Sequence, residues 1–169
     1  MKKLMILMAI ALTQISVYSA ETLKQIDLSG DKGARVDGSA WSSSEIKGKV
    51  YVLFYVDPDE KDLNEHVSQA LKKANFPKDK YGSIAVINMA ATWKPNWVLD
   101  SVLEGKQEEY PDTIYVRDLE KHLVKEWGLK DESSNIVLFN KEGQAIYKIL
   151  GKASDEQRDE LLKLIKNNL

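Results

Sequence analysis

The chain has 169 residues, of which 43% are hydrophobic and 30% are charged, with a formal net charge of −2 and no cysteine. This length and composition predict one globular domain with its own hydrophobic core. No basic cluster that could engage phosphates is present, which argues against nucleic acid as a partner. The lack of cysteine excludes disulfide bonds, thiol-disulfide exchange and cysteine peroxidase chemistry.

Residues 1–19 have the pattern of a secretory signal peptide. Lys2 and Lys3 precede an apolar run at 4–12 that is too short to span a bilayer, and small residues predict cleavage after Ser19. An uncleaved N-terminal anchor is the alternative, which the polar segment 19–25 disfavours. Removal of the two lysines leaves a formal charge of −4. We expect an exported protein with no stable membrane insertion after cleavage.

The first strong element is a continuous apolar and β-branched run at 50–56, which predicts a central strand covered on both faces. Asp57, Pro58 and Glu60 follow it and fit an N-cap, a first helical position and a capping-box glutamate. We therefore expect a helix that begins where the strand ends. Its apolar stripe comprises Leu63, Val67, Ala70, Leu71 and Ala74.

A second buried run at 84–88 completes a predicted βαβ unit. Pro95 can open a further helix that Gly105 would end, and a short strand follows at 113–116. These two elements are interpreted as an α-β insertion. The residues expected to face inward from the inserted helix are Val98, Leu99, Val102 and Leu103.

The last third of the chain predicts a helix at 119–127, a hairpin of strands at 136–139 and 145–149, and a terminal helix. Ser154 and Gln157 fit a capping box at the start of that last helix, whose apolar face comprises Leu161, Leu162, Ile165 and Leu169. The order βαβ, α-β insertion, αββα predicts an α/β fold with a mixed sheet flanked by helices. Its predicted parts are a signal peptide at 1–19, an N-terminal extension at 20–40 and a domain at 41–169.

This element order is that of the thioredoxin fold, and the hairpin region resembles the second half of a thioredoxin. Several short segments are similar to those of the YtfJ family of exported proteins, a resemblance that covers Trp41 to the C-terminus. It implies a thioredoxin-like fold and a Gram-negative periplasmic location, and no particular activity. The matching segments are Gly48-Lys49-Val50, Phe76-Pro77, Tyr81, Ile87-Asn88, Tyr110-Pro111, Val116-Arg117-Asp118, Trp127-Gly128-Leu129 and Asp131-Glu132-Ser133-Ser134.

The resemblance also places the positions where a redox-active thioredoxin carries its chemistry. Alignment by the first strand puts Asp59 and Asp62 where the two cysteines would stand, at the strand-to-helix turn. The position of the thioredoxin cis-proline falls near Ser133, Ser134 or Asn135. Both redox elements are therefore absent from a scaffold that is otherwise retained.

Trp93 and Trp97 follow the second core strand, so a thioredoxin fold would place them beside the Asp57 turn and the Ser134 loop. We call this edge of the sheet the rim, comprising residues 57–62, 92–97 and 131–135. The tryptophans could anchor a peptide or protein partner there. The alternative is local packing of the inserted helix. Trp41 and Trp127 are expected in or near the core.

The acidic turn permits a different interpretation, in which Asp57, Asp59 and Asp62 bind a divalent metal. Their spacing is not that of an EF-hand, and helix capping and a favourable interaction with the helix dipole explain the same residues. His66 and His122 show no zinc or triad spacing and are expected to be solvated helix residues. No cofactor is expected.

The sequence thus predicts a noncatalytic binding or accessory protein of the cell envelope that holds a protein, peptide or small ligand at the rim. The candidate binding residues of the rim are Asp57, Asp59, Asp62, Trp93, Trp97, Ser133, Ser134 and Asn135. A metal-dependent enzyme or metal-binding protein at the acidic turn is the alternative. A structural envelope component without a soluble ligand is a third possibility.

Overall fold

The computed structural model describes residues 19–169, so the predicted signal peptide, apart from Ser19, lies outside the described part. The described chain forms eight strands and four α-helices. The strands are β1 (Asp27–Leu28), β2 (Gly33–Arg35), β3 (Trp41–Ser42), β4 (Val50–Val56), β5 (Tyr81–Asn88), β6 (Thr113–Asp118), β7 (Ser134–Phe139) and β8 (Ala145–Leu150). The helices are α1 (Glu65–Ala74), α2 (Asn96–Glu109), α3 (His122–Trp127) and α4 (Asp155–Asn168).

Six strands form one mixed sheet in the order β2-β6-β5-β4-β7-β8. Strand β4 runs parallel to β5 and antiparallel to β7, while β5 runs parallel to β6. Strands β7 and β8 form the predicted antiparallel hairpin, and β2 pairs antiparallel with β6 at the other edge. The predicted mixed α/β sheet, with the 50–56 strand at its centre, is confirmed.

Hydrophobic clusters cover both faces of β4, as its unbroken apolar pattern predicts. Leu53 and Tyr55 belong to one cluster, together with the buried Trp41 and Trp127. Val50 and Val52 point to the other face. There they pack in a second cluster with side chains of α1 and α4, namely Val67, Leu71, Leu161 and Ile165. Because successive side chains of β4 point to opposite faces of the sheet, this strand contributes to both hydrophobic clusters.

The segment 20–40, predicted as an N-terminal extension, packs closely on the rest of the structure. Its Ile26 and Leu28 are buried in the first cluster. Glu21 and Ala145 exchange two backbone hydrogen bonds of 2.8 Å, which attach the start of the segment to β8. The indole Nε1 of Trp127 donates to the Lys24 carbonyl at 2.7 Å. The segment also supplies β1 and the edge strand β2.

The prediction that an α-helix begins directly at Asp57 is wrong. Asp57 does cap a turn with Pro58 at its first position, but the turn is a short 3-10 helix at Pro58–Glu60. The α-helix itself begins at Glu65. The residue before it, Asn64, is buried and hydrogen-bonds to distant parts of the chain, which fixes the helix start later than local sequence indicates.

Two other helix boundaries differ from the predictions. Helix α2 continues through Gly105 to Glu109 and ends before Pro111, whose ring disfavours helical backbone at the preceding residue. Helix α3 begins at His122 instead of residue 119, because the Asp118 carboxylate accepts the backbone N–H groups of His122 and Leu123. The capping box of Ser154 and Gln157 at α4 is confirmed.

Candidate functional site

The three predicted segments of the rim meet at the carboxyl ends of β4 and β5. The backbone N–H of Asp57, directly after β4, donates to the Ser133 carbonyl at 2.9 Å. The Lys94 ammonium, after β5, forms an ion pair with the Asp59 carboxylate. Thr92 also hydrogen-bonds to Asp59 through its side chain. The fold thus assembles one continuous surface from three parts of the chain that lie far apart in sequence.

Two large aromatic side chains of this surface are exposed to solvent. Trp93 is 87% exposed and Trp97 is 74% exposed. The alternative that these rings serve local packing of the inserted helix is wrong, since Leu99 and Leu103 provide the buried face of α2. The prediction that Val102 also faces inward is wrong, since this side chain is 56% exposed. Exposed aromatic side chains on one surface indicate an interaction site more often than isolated apolar residues do.

The three aspartates of the turn have different environments. Asp57 is only 3% exposed, and its Oδ1 accepts the Asp59 N–H at 2.8 Å. Desolvation raises the pKa of Asp57, and the negative charges of Asp59, Glu60 and Glu132 raise it further, against the effect of the backbone hydrogen bond. Hydrogen bonds from Lys94 and Thr92 lower the pKa of Asp59. Asp62 is exposed and pairs with Lys61 at 3.0 Å.

These aspartates do not converge on one point. Asp57 is engaged by backbone, Asp59 by Lys94 and Asp62 by its neighbour Lys61. Across residues 19–169, no group of three histidine, aspartate or glutamate side chains is arranged to hold a metal ion. The geometry therefore gives the metal interpretation of the turn no support from the described chain.

The polar residues at the predicted cis-proline position are buried beneath the rim. Ser133, Ser134 and Asn135 are 3%, 1% and 0% exposed. The Asn135 side chain bonds both backbone groups of Lys130, donating to the carbonyl at 2.8 Å and accepting from the N–H at 3.0 Å. These side chains hold the 131–135 loop in place. The described chain contains no cis peptide bond.

A buried polar layer below the rim was not recognised from the sequence. The Tyr55 hydroxyl donates to Asp118 at 3.1 Å, and burial strongly raises the pKa of Tyr55. The Asn88 side chain donates to Asp131 at 3.0 Å, and Lys121 donates to the same carboxylate at 2.7 Å. The Lys121 hydrogen bond lowers the pKa of Asp131. Asn88 and Asp118 are each the last residue of a strand. A polar residue at the end of an apolar strand is the one sequence signal that could have indicated this layer.

The arrangement favours recognition over catalysis. Its exposed groups include two indole rings, several carboxylates and the Lys61 ammonium, whereas its hydroxyls at Ser133 and Ser134 are shielded from solvent. The backbone N–H of His122 donates to Asp118 in the buried polar layer. The Nε2 atom of His122 is buried and lies 3.4 Å from a Glu120 oxygen, but the two atoms do not have hydrogen-bond geometry. The described residues of the rim therefore contain no exposed nucleophile with an adjacent base.

The sheet order and the strand-to-helix turn at its centre define a thioredoxin-like protein. Similar solved structures agree on this fold. The exposed lipoprotein thioredoxin Etrx1 of Streptococcus pneumoniae is 18% identical with a TM-score of 0.58, and the match covers 83% of this chain and 99% of that one. BsSco, a Sco-family cytochrome c oxidase assembly protein, is 14% identical with a TM-score of 0.62, and the match covers 92% and 97%.

The chain belongs to the YtfJ family, whose model, described as a bacterial protein of unknown function (YtfJ_HI0045), matches residues 13–168. Uncharacterized protein YtfJ of Escherichia coli strain K12 is 26% identical over 132 residues, which are 76% of this chain and 72% of the relative. An uncharacterized protein of Haemophilus influenzae is 28% identical over 129 residues, 74% of this chain and 70% of the relative. The family resemblance found in the sequence is confirmed.

Proposed function

We propose that this chain is an exported, periplasmic protein of the cell envelope that binds a protein or peptide partner at the rim without catalysis. The observation that carries the proposal is the exposure of Trp93 and Trp97 on the assembled rim. An indole ring offers a large apolar surface and one hydrogen-bond donor, which is why tryptophan is enriched among the residues that dominate interface energies.

The lack of thiols supports a binding role over a redox role. The chain has a thioredoxin-like fold and no cysteine, so it cannot exchange disulfides. Carboxylates occupy the turn, and the loop opposite lacks a cis peptide. The structurally similar BsSco belongs to a family of cytochrome c oxidase assembly proteins. Proteins of this fold can therefore serve as assembly proteins.

Export is supported by the signal-peptide pattern, and the predicted cut is compatible with the packing of the segment that follows it. Glu21 is held on β8 by two backbone hydrogen bonds, so a cut after Ser19 would leave the packed segment intact. Within residues 19–169 no helix has the length and apolarity needed to cross a bilayer. N-terminal sequencing of the protein from a periplasmic fraction should give Ala20 as the first residue. Recovery of the uncut chain in the cytoplasm would contradict export.

The rim is tested by affinity capture from an envelope extract with three forms of the protein. The wild type and the Val102→Ala control, which alters an exposed side chain further along α2, should recover the same partner in equal amounts. The double variant Trp93→Ala/Trp97→Ala should lose most of that partner while keeping its thermal midpoint. Equal recovery by all three forms would rule out the tryptophan surface.

A further inference from the structure

We propose that the segment bound at the rim is basic, with lysine or arginine side chains that meet the carboxylates and indole rings of this surface. The inference rests on the proposed function, because it specifies the chemistry of the partner that the rim would hold. It starts from the balance of charge between the acidic turn and the loop before β7.

Each lysine of the rim already has a carboxylate partner. Lys61 pairs with Asp62, and Lys94 pairs with Asp59. Lys121, just below the rim, pairs with Asp131 at 2.7 Å. These three lysines are therefore neutralised within the surface, while Lys130, directly before the 131–135 loop, is exposed and forms no ion pair among the described residues. Six carboxylates against four lysines leave the surface acidic.

Two other carboxylates, Glu60 and Glu132, lie on segments that are joined by the 2.9 Å backbone hydrogen bond from Asp57 to Ser133, and neither has such a partner. Glu60 and Glu132 are exposed and form no ion pair among the described residues, and both charges act on the buried Asp57. Glu60 belongs to the turn after β4, whereas Glu132 belongs to the loop before β7. The repulsion on the Asp57 carboxylate therefore comes from both sides of the rim. A cation placed between these two sides would relieve it.

The indole rings lie beside this acidic surface. Trp93 stands between Thr92 and Lys94, the two residues that hold Asp59. Trp97 is the second residue of α2. Aromatic faces attract ammonium and guanidinium groups, and the aliphatic stems of lysine and arginine pack on apolar rings. The charge and the rings together fit a basic partner and disfavour an acidic one.

The test uses the full chain and three fluorescent peptides of equal length. They share the same apolar residues and differ only in carrying lysine, glutamine or glutamate at the remaining positions. Fluorescence anisotropy should show the lysine peptide binding at least about tenfold more tightly than the glutamate peptide at low salt. Raising the ionic strength from about 0.05 M to about 0.5 M should weaken that binding several-fold, because salt screens exposed charges.

Variants then locate the site. Glu60→Gln/Glu132→Gln should weaken binding of the lysine peptide by about five- to tenfold. Glu142→Gln, which removes an exposed carboxylate at the β7-β8 turn, should leave it unchanged. Trp93→Ala/Trp97→Ala should weaken binding of the lysine peptide as well. An unchanged affinity in the Glu60/Glu132 variant would overturn the proposal.

The remaining outcomes separate this inference from the proposed function. If the three peptides bind equally and the tryptophan variant loses all of them, the rim binds peptides but does not select basic ones. If the chain binds none of the peptides, the proposal that the bound segment is basic is wrong. The affinity capture with the tryptophan variants then remains the separate test of partner binding at the rim. Tryptophan-dependent self-association in sedimentation experiments would show that the rim receives a second copy of the chain.

Discussion

Asp57 shows how one buried carboxylate at the end of a central strand can lower the stability of the fold at neutral pH. Its side chain caps the turn that follows β4 and is only 3% exposed. Burial raises the pKa of Asp57 above its ordinary value of 3.8, with Glu60 and Glu132 adding to the shift. The folded protein therefore keeps this proton to a higher pH than the unfolded chain does. The associated stabilisation is present below that ordinary value and is lost as the pH rises through the folded-state pKa.

Substitution of Asp57 by asparagine removes the charge and keeps an oxygen that can accept the Asp59 N–H. We expect Asp57→Asn to increase the free energy of unfolding at pH 7 by roughly 0.5–2 kcal/mol. The gain should shrink as the pH falls through the raised folded-state pKa and should be lost below the ordinary value of 3.8. Urea unfolding at several pH values measures it, with the exposed Asp62→Asn as control. A gain that increases toward acid pH would contradict the assigned direction.

Asn64 has a buried side chain that hydrogen-bonds to parts of the chain far away in sequence. Its Nδ2 donates to the Ser134 and Gly151 carbonyls at 3.1 and 3.0 Å, and its Oδ1 accepts the Ala153 N–H at 2.8 Å. Truncation leaves these buried groups without partners.

Asn64→Ala should therefore destabilise the fold by about 2–4 kcal/mol, the cost of leaving more than one buried polar group unsatisfied. Asn167, an exposed residue of α4, provides the matched control, and Asn167→Ala should change stability by less than about 0.5 kcal/mol. Chemical unfolding of both variants checks the difference. Equal stabilities would show that the Asn64 hydrogen bonds contribute nothing net.

At the scale of elements, strand β2 depends on a glycine at its first position. Gly33 has φ of +130°, and a Cβ atom there would overlap the carbonyl oxygen of Arg117 on β6. Gly38 also has a positive φ, of +84°, but a Cβ atom there would meet open space. Substitutions at the two positions therefore distinguish the free-energy cost of an unfavourable backbone conformation from the cost of a clash with the neighbouring strand.

Gly33→Ala should destabilise the protein by more than about 2 kcal/mol and increase hydrogen exchange in β2, since the strand must move off β6. Gly38→Ala should cost about 1 kcal/mol, from its backbone conformation alone. Hydrogen exchange and urea unfolding of both variants provide the measurement. Similar effects of the two substitutions would contradict a specific contact at Gly33.

Strands β4 to β8 were predictable because their signal is local, whereas the two- and three-residue strands β1, β2 and β3 were not predicted. Continuous apolar residues at 50–56 specify a strand buried on both faces, and the hairpin at β7 and β8 follows from two such runs joined by a polar turn. Helix starts were less predictable because they depend on distant partners. The beginning of α1 is set by Asn64 bonding to residues seventy and more positions away.

The site was predictable only in its position. The chain order places the turn after β4 and the segment after β5 at the same edge of the sheet, which brings Asp59 and Lys94 together. Which side chains are exposed depends on three-dimensional packing. The burial of Ser134 and Asn135 and the exposure of both rim tryptophans were not predictable from the local sequence pattern.

At the scale of the whole molecule, the fold is stabilised without covalent cross-links. The chain has no cysteine, and two hydrophobic clusters on opposite faces of the sheet supply its core. The rim lies at the carboxyl end of this sheet, where packed strands hold three loops in fixed positions. A rigid surface of this kind suits recognition, because little conformational freedom is lost when a partner binds.

Partner binding at the rim is tested most directly by photo-crosslinking in intact cells. A photoreactive amino acid is placed at position 93 or 97, and at position 166 on the exposed side of α4 as the control. We predict discrete adducts of one mass from both rim positions and none from position 166. Absence of adducts at the rim, or the same adducts from position 166, would contradict a binding role for this surface.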